Sequence, residues 1–207
     1  MAVTNTDPEL LIATNNSGKM SELRHLLSGL GYKLFSLRDV GIVDEVDETG
    51  ATFEENVSLK ASAYSEKSGM LTLADDSGLE VDALDGAPGV LSARFARVDA
   101  TDTERNQYLL QQIKGVIGND RSAKFRCVLA LTSPGKSIEF YKGECRGYIL
   151  ESARGSNGFG YDPIFLLEGT NKTTAELSPQ EKNLVSHRGK AARIVVEVLK
   201  DRMKDND

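Results

Sequence analysis

The sequence has no long apolar run and no excess of positive charge, and it contains only two cysteines. No apolar run approaches the roughly 20 residues of a membrane-spanning helix. The start of the chain, Met1 to Pro8, lacks the charged and apolar regions of a signal peptide. We therefore expect a cytoplasmic protein that has no membrane partner.

The net charge of −6 gives no general attraction to nucleic acid. An anionic substrate must then be met by a local cluster of lysines and arginines or by a metal. Cys127 and Cys145 lie in separate strand-like stretches, and in a reducing compartment both are predicted to be free thiols. The length of 207 residues fits one domain, or one domain with two lobes.

The chain is organised around an alternating apolar stretch that begins at Leu71 and runs into Asp75, Asp76, Ser77 and Gly78. We predict a strand that ends at these carboxylates, because α/β folds place ligands at strand ends. Two adjacent acids each raise the other's pKa unless a cation offsets the repulsion, which favours a divalent metal. The alternative is a hydrophilic turn between two strands.

A polar loop from Thr14 to Lys19 follows a predicted buried strand over Glu9 to Thr14 and precedes a helix with Ser17 as its N-cap. Free backbone N–H groups, the helix dipole and a lysine together favour a phosphate. The loop is not a P-loop, because Ala13 and Met20 stand where that motif needs glycine and Ser or Thr. A capped loop with an exposed lysine is the alternative.

Capping boxes predict three more helices, which begin after Thr52, Thr101 and Ser178, and a last helix runs from Ser186 to near Lys204. The strands are expected at Tyr32 to Ser36, Ala123 to Thr132, Ser137 to Ile149 and Pro163 to Leu167, with a hairpin at Pro134-Gly135. This mixture predicts an α/β fold whose second half has antiparallel character.

A glycine-rich loop runs from Gly155 to Pro163. It is not a dinucleotide fingerprint, because Pro163 stands where the last glycine is required. Its glycines allow a ligand to approach the backbone, and Phe159 can stack on a base; the alternative is a structural loop with Phe159 turned inward. A local positive cluster follows, made of Lys182, His187, Arg188 and Lys190.

Five stretches in this order closely resemble the inosine triphosphate pyrophosphatase family, also called Ham1-like, and in particular its bacterial dITP/XTP branch. They are Thr14 to Lys19, Glu48 to Ala61, Ala74 to Leu79, Gly158 to Pro163 and Ser186 to Gly189. The resemblance extends from about Leu10 to Val198. One small departure is Asn15, where bacterial members often have glycine.

The resemblance implies an elongated, two-lobed α/β fold with a mixed, twisted β-sheet flanked by helices and a central nucleotide-binding cleft, all within a single domain over residues 1–207. It also implies a homodimer that requires Mg²⁺ and takes a purine nucleoside triphosphate as substrate. Its reaction is cleavage of ITP, dITP or XTP between the α and β phosphates to the monophosphate and pyrophosphate, which cleanses the nucleotide pool.

The resemblance also assigns the site residues. Asp76 is the expected catalytic base, and the metal ligands are Glu48, Asp76 and Asp75; the two aspartates are expected to titrate as a coupled pair. The residues expected to bind the phosphates are Thr14, Asn15, Asn16, Ser17, Gly18, Lys19, Lys60 and Ser77. The residues expected to bind the base and sugar are Phe159, Gly160, Tyr161, Asp162, Lys182, His187 and Arg188.

Substrate choice is expected to depend on the 6-oxygen of hypoxanthine and xanthine, where adenine carries an amino donor. Donors aimed at that oxygen would disfavour ATP, whereas GTP shares the oxygen and must be excluded through its 2-amino group. Two alternatives stay open at this point. One is a Maf-like pyrophosphatase with other substrates, and the other is a nucleotide sensor without catalysis.

Overall fold

The computed structural model describes residues 7–204, and this part of the chain contains six strands and five α-helices. The strands are β1 (Glu9–Ala13), β2 (Lys33–Ser36), β3 (Thr72–Val81), β4 (Ser122–Thr132), β5 (Glu139–Ile149) and β6 (Phe165–Leu167). The helices are α1 (Ser17–Leu26), α2 (Phe53–Ser68), α3 (Asp102–Gln112), α4 (Pro179–Val185) and α5 (His187–Lys204). The signal-peptide prediction concerned Met1 to Pro8, and Met1 to Thr6 lie outside the described residues.

The strands form one six-stranded sheet in the order β2-β1-β3-β4-β5-β6. β1 pairs in parallel with both β2 and β3, whereas β5 and β6 are antiparallel. The predicted α/β fold with a mixed sheet is therefore confirmed. Within the described range, no helix is long and apolar enough to cross a membrane.

The described residues divide into two compact units, each made of separate chain segments. The first comprises residues 7–75, 128–141 and 192–204, and the second comprises residues 76–127 and 142–191. That these belong to a single domain with two lobes stays a prediction.

The first unit is built around β1, whose residues Leu10 to Ala13 are fully buried. In α2 the predicted core face, Phe53, Val57, Ala61 and Tyr64, is buried as expected from its helical spacing. The predicted capping box is present: Thr52 Oγ1 accepts from the Glu55 N–H, and Glu55 accepts from the Thr52 N–H. The start of α2 is thereby fixed.

The second unit has its own apolar core, which includes residues from β3, α3, β4, β5 and β6. Its members include Leu79, Val81, Leu109, Ile113, Phe125, Cys145, Tyr161 and Phe165. The capping boxes at Thr101 and Ser178 are both present and set the first residues of α3 and α4. All three predicted boxes were correct because a capping box depends on residues close together in the sequence.

The prediction that the central strand ends at its carboxylates was wrong. β3 continues to Val81, so Asp75 and Asp76 lie in the middle of a ten-residue strand. The turn alternative was wrong for the same reason. The apolar alternation resumes after the acids, since Leu79 and Val81 are buried, and an ion pair to Asp75 offsets the cost of burying its charge.

The N-cap of α1 is Asn16 and not Ser17, which is the first helical residue. Asn16 Oδ1 accepts a hydrogen bond from the Lys19 N–H over 2.9 Å. Asparagine caps a helix as well as serine does, so residue type did not decide between the two neighbours. The bond from Asn16 places Lys19 at the third helical position.

Candidate active site

The loop before α1 presents the backbone of a helix N-terminus. The Asn16 N–H donates to Thr14 Oγ1 over 3.2 Å, and the cap described above leads into Ser17 and Gly18 as the first residues of the helix. The exposed Asn15 donates from Nδ2 to Glu45 Oε1 over 3.3 Å. The first N–H groups of a helix have no intrahelical acceptor, so this end attracts anions.

Lys19 forms an ion pair with Asp75 in which Nζ lies 2.6 Å from Oδ1. The Asp75 side chain is 0% exposed and that of Lys19 is 15% exposed. A buried carboxylate is strongly disfavoured without a partner, so the lysine stabilises the Asp75 charge within β3. In return, Asp75 fixes where the Lys19 ammonium stands.

Lys60 approaches the same residue from α2. Its Nζ atom donates to the backbone carbonyl of Asp75 over 2.8 Å and to Glu48 Oε1 over 2.6 Å. Lys60 is almost fully buried. Two ammonium groups therefore meet Asp75, one at its carboxylate and one at its carbonyl, and the second also holds Glu48.

The loop that carries Glu48 is fixed at the following glycine. The Gly50 N–H donates to Asn56 Oδ1 over 2.7 Å, and a Cβ at residue 50 would lie 2.5 Å from Glu55 Cβ. Any larger residue would displace the start of α2, which places Lys60. The contact of Gly50 with Asn56 and the single helix turn from Asn56 to Lys60 thus set the distance between Glu48 and Lys60.

Asp76 is buried in β3 next to Asp75. Successive side chains of a strand point to opposite faces of the sheet, so the two carboxylates are directed apart. The described residues contain no group of three or more His, Cys, Asp or Glu side chains arranged to hold a metal. Mg²⁺ would not need such a group, since it takes only one or two carboxylates and fills its other positions with water and phosphate oxygens.

In the second unit, two cations lie near the ring of Phe159. Lys182 Nζ is 4.8 Å and the Arg188 guanidinium carbon is 5.7 Å from the ring centroid. Both cationic residues are buried, and Phe159 is half-buried. The three side chains combine a flat apolar surface with buried donors, which suits a planar ligand that carries acceptor oxygens.

Asp162 organises this group from inside the loop. Its Oδ2 atom accepts from the Phe159 N–H over 2.9 Å and also pairs with Lys182 Nζ, while Oδ1 accepts from Thr174 Oγ1 over 2.8 Å. A Cβ at Gly158 would lie 2.0 Å from Oδ2. The carboxylate therefore holds the ammonium and the loop backbone together, and only glycine fits at residue 158.

His187 and Tyr161 make contacts within the second unit, to which both residues belong. The His187 ring stacks on Phe125, with 4.8 Å between centroids and 13° between ring planes. The buried Tyr161 hydroxyl donates to the Ser92 carbonyl over 2.9 Å, and burial raises the tyrosine pKa. Both side chains thus contribute to packing beside the loop.

Cys127 and Cys145 form no disulfide, as predicted, and both are buried. Burial raises the pKa of Cys145 to about 11, which keeps its thiol protonated at neutral pH. Cys145 therefore lacks the thiolate that a nucleophile requires.

Sequence reasoning missed the residues that support the glycine-rich loop, namely Ser92, Asp102, Asn106 and Thr174. Asp102 and Asn106 lie four residues apart on α3 and therefore share a helix face. The helix predicted after the Thr101 capping box places these two residues on one face, but nothing in the sequence indicated what that face contacts.

Comparison with known proteins places the chain in a family. The model of the Ham1 family matches residues 10–198, which is most of the chain. The chain belongs to the Ham1 family. The predicted resemblance, from about Leu10 to Val198, is thereby confirmed.

Individual Ham1-family proteins match over almost their full length. A dITP/XTP pyrophosphatase of Bacillus licheniformis is 48% identical over 185 residues, which cover 89% of this chain and 94% of that protein. The structure of a HAM1 protein from Coxiella burnetii has a TM-score of 0.85 at 42% identity and covers 94% of this chain and 99% of that one. The Staphylococcus aureus Ham1 structure has a TM-score of 0.83 at 37% identity, and the match covers 94% of this chain and 99% of that one.

Proposed function

We propose that this chain is a Mg²⁺-dependent pyrophosphohydrolase of purine nucleoside triphosphates that prefers dITP, ITP and XTP. It cleaves the bond between the α and β phosphates, releases the nucleoside monophosphate and pyrophosphate, and so removes deaminated purines from the nucleotide pool. The dITP/XTP pyrophosphatase of B. licheniformis, at 48% identity, supports this substrate class. We expect the enzyme to act in the cytoplasm, where that pool is found.

The observation that carries the proposal is the arrangement of Lys19 and Lys60 around Asp75. A triphosphate carries several negative charges, and a chain with a net charge of −6 must meet them locally. Lys19 stands at the anion-attracting end of α1, and Lys60 is nearly buried, so both act in a medium that screens charge weakly. We assign phosphate binding to these lysines, to the loop from Thr14 to Gly18 and to Ser77.

Glu48 and Asp76 would hold Mg²⁺. When bound, the ion neutralises charge on phosphate oxygens and makes the attacking water more acidic. The pairing of Asp75 with Lys19 favours a refined assignment for Asp75, in which it acts chiefly by fixing the Lys19 ammonium and only secondarily as a metal ligand.

Asp76 serves as the general base. Its carboxylate accepts a proton from the water molecule as the water oxygen attacks phosphorus. The bond to the bridging oxygen then breaks, and pyrophosphate leaves with the electron pair while Lys19 and Lys60 stabilise its charge. Such a reaction depends on positioning and charge, which these residues supply without a covalent intermediate.

The purine is assigned to Phe159 by stacking, and to Lys182, His187 and Arg188 by hydrogen bonds to the 6-oxygen. Because Asp162 and Tyr161 are bonded to other protein groups, we assign their contribution, with that of Gly160, to shaping the loop around the base and sugar. An adenine would direct its amino donor at these cations. The unpaired donors can then give discrimination of about 10⁴.

We further infer a homodimer, as the family resemblance implies. Light scattering tests this directly, because a dimer has twice the 22.5 kDa mass of the chain. A single species at the monomer mass would contradict it.

The experiment that tests the function is a panel of purified triphosphates assayed for pyrophosphate release. With Mg²⁺ we expect rapid release from dITP, ITP and XTP and far slower release from dATP and dGTP. Excess chelator should stop the reaction, and added Mg²⁺ should restore it. Equal turnover of the standard nucleotides would refute the substrate assignment and favour a Maf-like specificity.

A further inference from the structure

The glycine-rich loop is held at Gly160 by two side chains of α3. The Gly160 N–H donates to Asp102 Oδ2 over 2.6 Å, and Asn106 Nδ2 donates to the Gly160 carbonyl over 3.1 Å. Gly160 has a φ of +62°, and its peptide groups present a donor and an acceptor to the same helix. Both polar groups of this residue are therefore satisfied by one element.

The α3 side chains are themselves fixed. The capping box at Thr101 sets the start of the helix, and Asp102 and Asn106 lie four residues apart on one face. Asp102 Oδ1 pairs with Arg105 Nη2, and Arg105 Nη1 donates to the Ala93 carbonyl over 3.0 Å. Asn106 is buried, with an exposed fraction of 7%. The contacts to Gly160 are thus made from a rigid support.

Gly160 directly follows Phe159, and the Phe159 N–H is held by Asp162 on the other side. The backbone is therefore held on both sides of the Phe159 side chain, by Asp162 before it and by the two α3 side chains after it. Because this backbone is held, less of the loop has to be ordered when a base stacks on the ring, which strengthens binding by lowering the entropy cost.

We propose that Asp102 and Asn106 are positioning residues for the purine: they hold the Gly160 peptide and thereby fix the Phe159 ring beside Lys182 and Arg188. The proposal deepens the function proposed above and rests on it, since it takes Phe159 as the stacking residue. It predicts that loss of either side chain weakens nucleotide binding and leaves the chemical step intact.

The test begins without nucleotide. The chain contains no tryptophan, so Phe159→Trp introduces a single fluorescent reporter at the ring itself. Acrylamide quenching of this tryptophan should be more efficient when Asn106→Ala is added and unchanged when Gln107→Ala is added. Gln107 is the matched control, because it is an exposed amide at the next position of α3.

Kinetics with dITP then use the chain with Phe159 intact. Asn106→Ala should raise KM about fivefold, the factor that corresponds to one neutral hydrogen bond, and change kcat less than about twofold. Asp102→Ala should also raise KM, and Asp102→Asn, which keeps an acceptor oxygen, should recover most of the loss. A merely structural role would give the opposite split, because a destabilised enzyme has fewer active molecules and so a lower kcat at the same KM.

Two failures are distinguishable. If the unsubstituted protein does not hydrolyse dITP, the proposed function fails whatever the variants do. If it hydrolyses dITP but Asn106→Ala leaves both the quenching and the KM unchanged, the positioning proposal alone is overturned.

Discussion

Arg188 donates a hydrogen bond from Nη2 to the Oγ atom of Ser77 over 2.7 Å. Arg188 is fully buried, and its guanidinium also lies near the Phe159 ring. Ser77 directly follows Asp76 in β3. One side chain therefore contacts both the strand that carries the proposed base and the ring proposed to stack on the purine.

We predict that Arg188→Lys lowers kcat/KM for dITP by roughly tenfold to a hundredfold, since a hydrogen bond to a charged group contributes about 1.5–3 kcal/mol. Lysine keeps the charge but lacks the planar fork that reaches two partners at once. A double-mutant cycle with Ser77→Ala checks the reason. We expect a coupling energy of about 1 kcal/mol, whereas strictly additive effects would contradict a direct role for this contact.

Gly158→Ala should weaken dITP binding and stability more than Gly169→Ala does. Both glycines have a left-handed φ, +74° and +75°, so alanine costs about 1–2 kcal/mol of backbone energy at each. Only at residue 158 does the added Cβ also meet the carboxylate that holds Lys182. Urea unfolding and the KM for dITP provide the comparison, and equal effects at the two positions would contradict the close packing at Asp162.

The capping box of α3 should give a stability contribution that depends on pH. Hydrogen bonds from the Thr101 backbone and the Arg97 side chain lower the pKa of Glu104 from 4.5 to about 2. Because the folded pKa is the lower one, the contribution is fully present above about pH 4.5 and is lost as the pH falls towards 2.

Glu104→Gln removes this titration and keeps an acceptor for the cap. The difference in thermal midpoint between the unsubstituted protein and Glu104→Gln should be present at pH 6 and shrink as the pH falls below 4.5. The exposed Glu151→Gln is the control. A constant difference across this range would show that Glu104 does not contribute through its charge.

Features that depend on nearby residues could be predicted from the sequence. The capping boxes at Thr52, Thr101 and Ser178 were confirmed because donor and acceptor lie three residues apart. The position of Asp75 within its strand could not be predicted in this way. Its burial depends on Lys19 and Lys60, which approach from two separate helices, α1 and α2.

The same limit applies to the candidate site. The motifs identified Phe159, Lys182 and Arg188, and the structure brings these three together. The support from Asn106 and Thr174 was not predicted, because asparagine and threonine are mostly exposed residue types, and nothing local in the sequence shows that the fold buries these two.

Phosphorus NMR of the products formed from dITP in the presence of Mg²⁺ tests both the bond that is cleaved and the role of Asp76. We expect pyrophosphate and dIMP in equal amounts from the unsubstituted protein. Asp76→Asn should form neither product while retaining the thermal midpoint of a folded protein. Release of orthophosphate with dIDP, or full turnover by Asp76→Asn, would contradict these expectations.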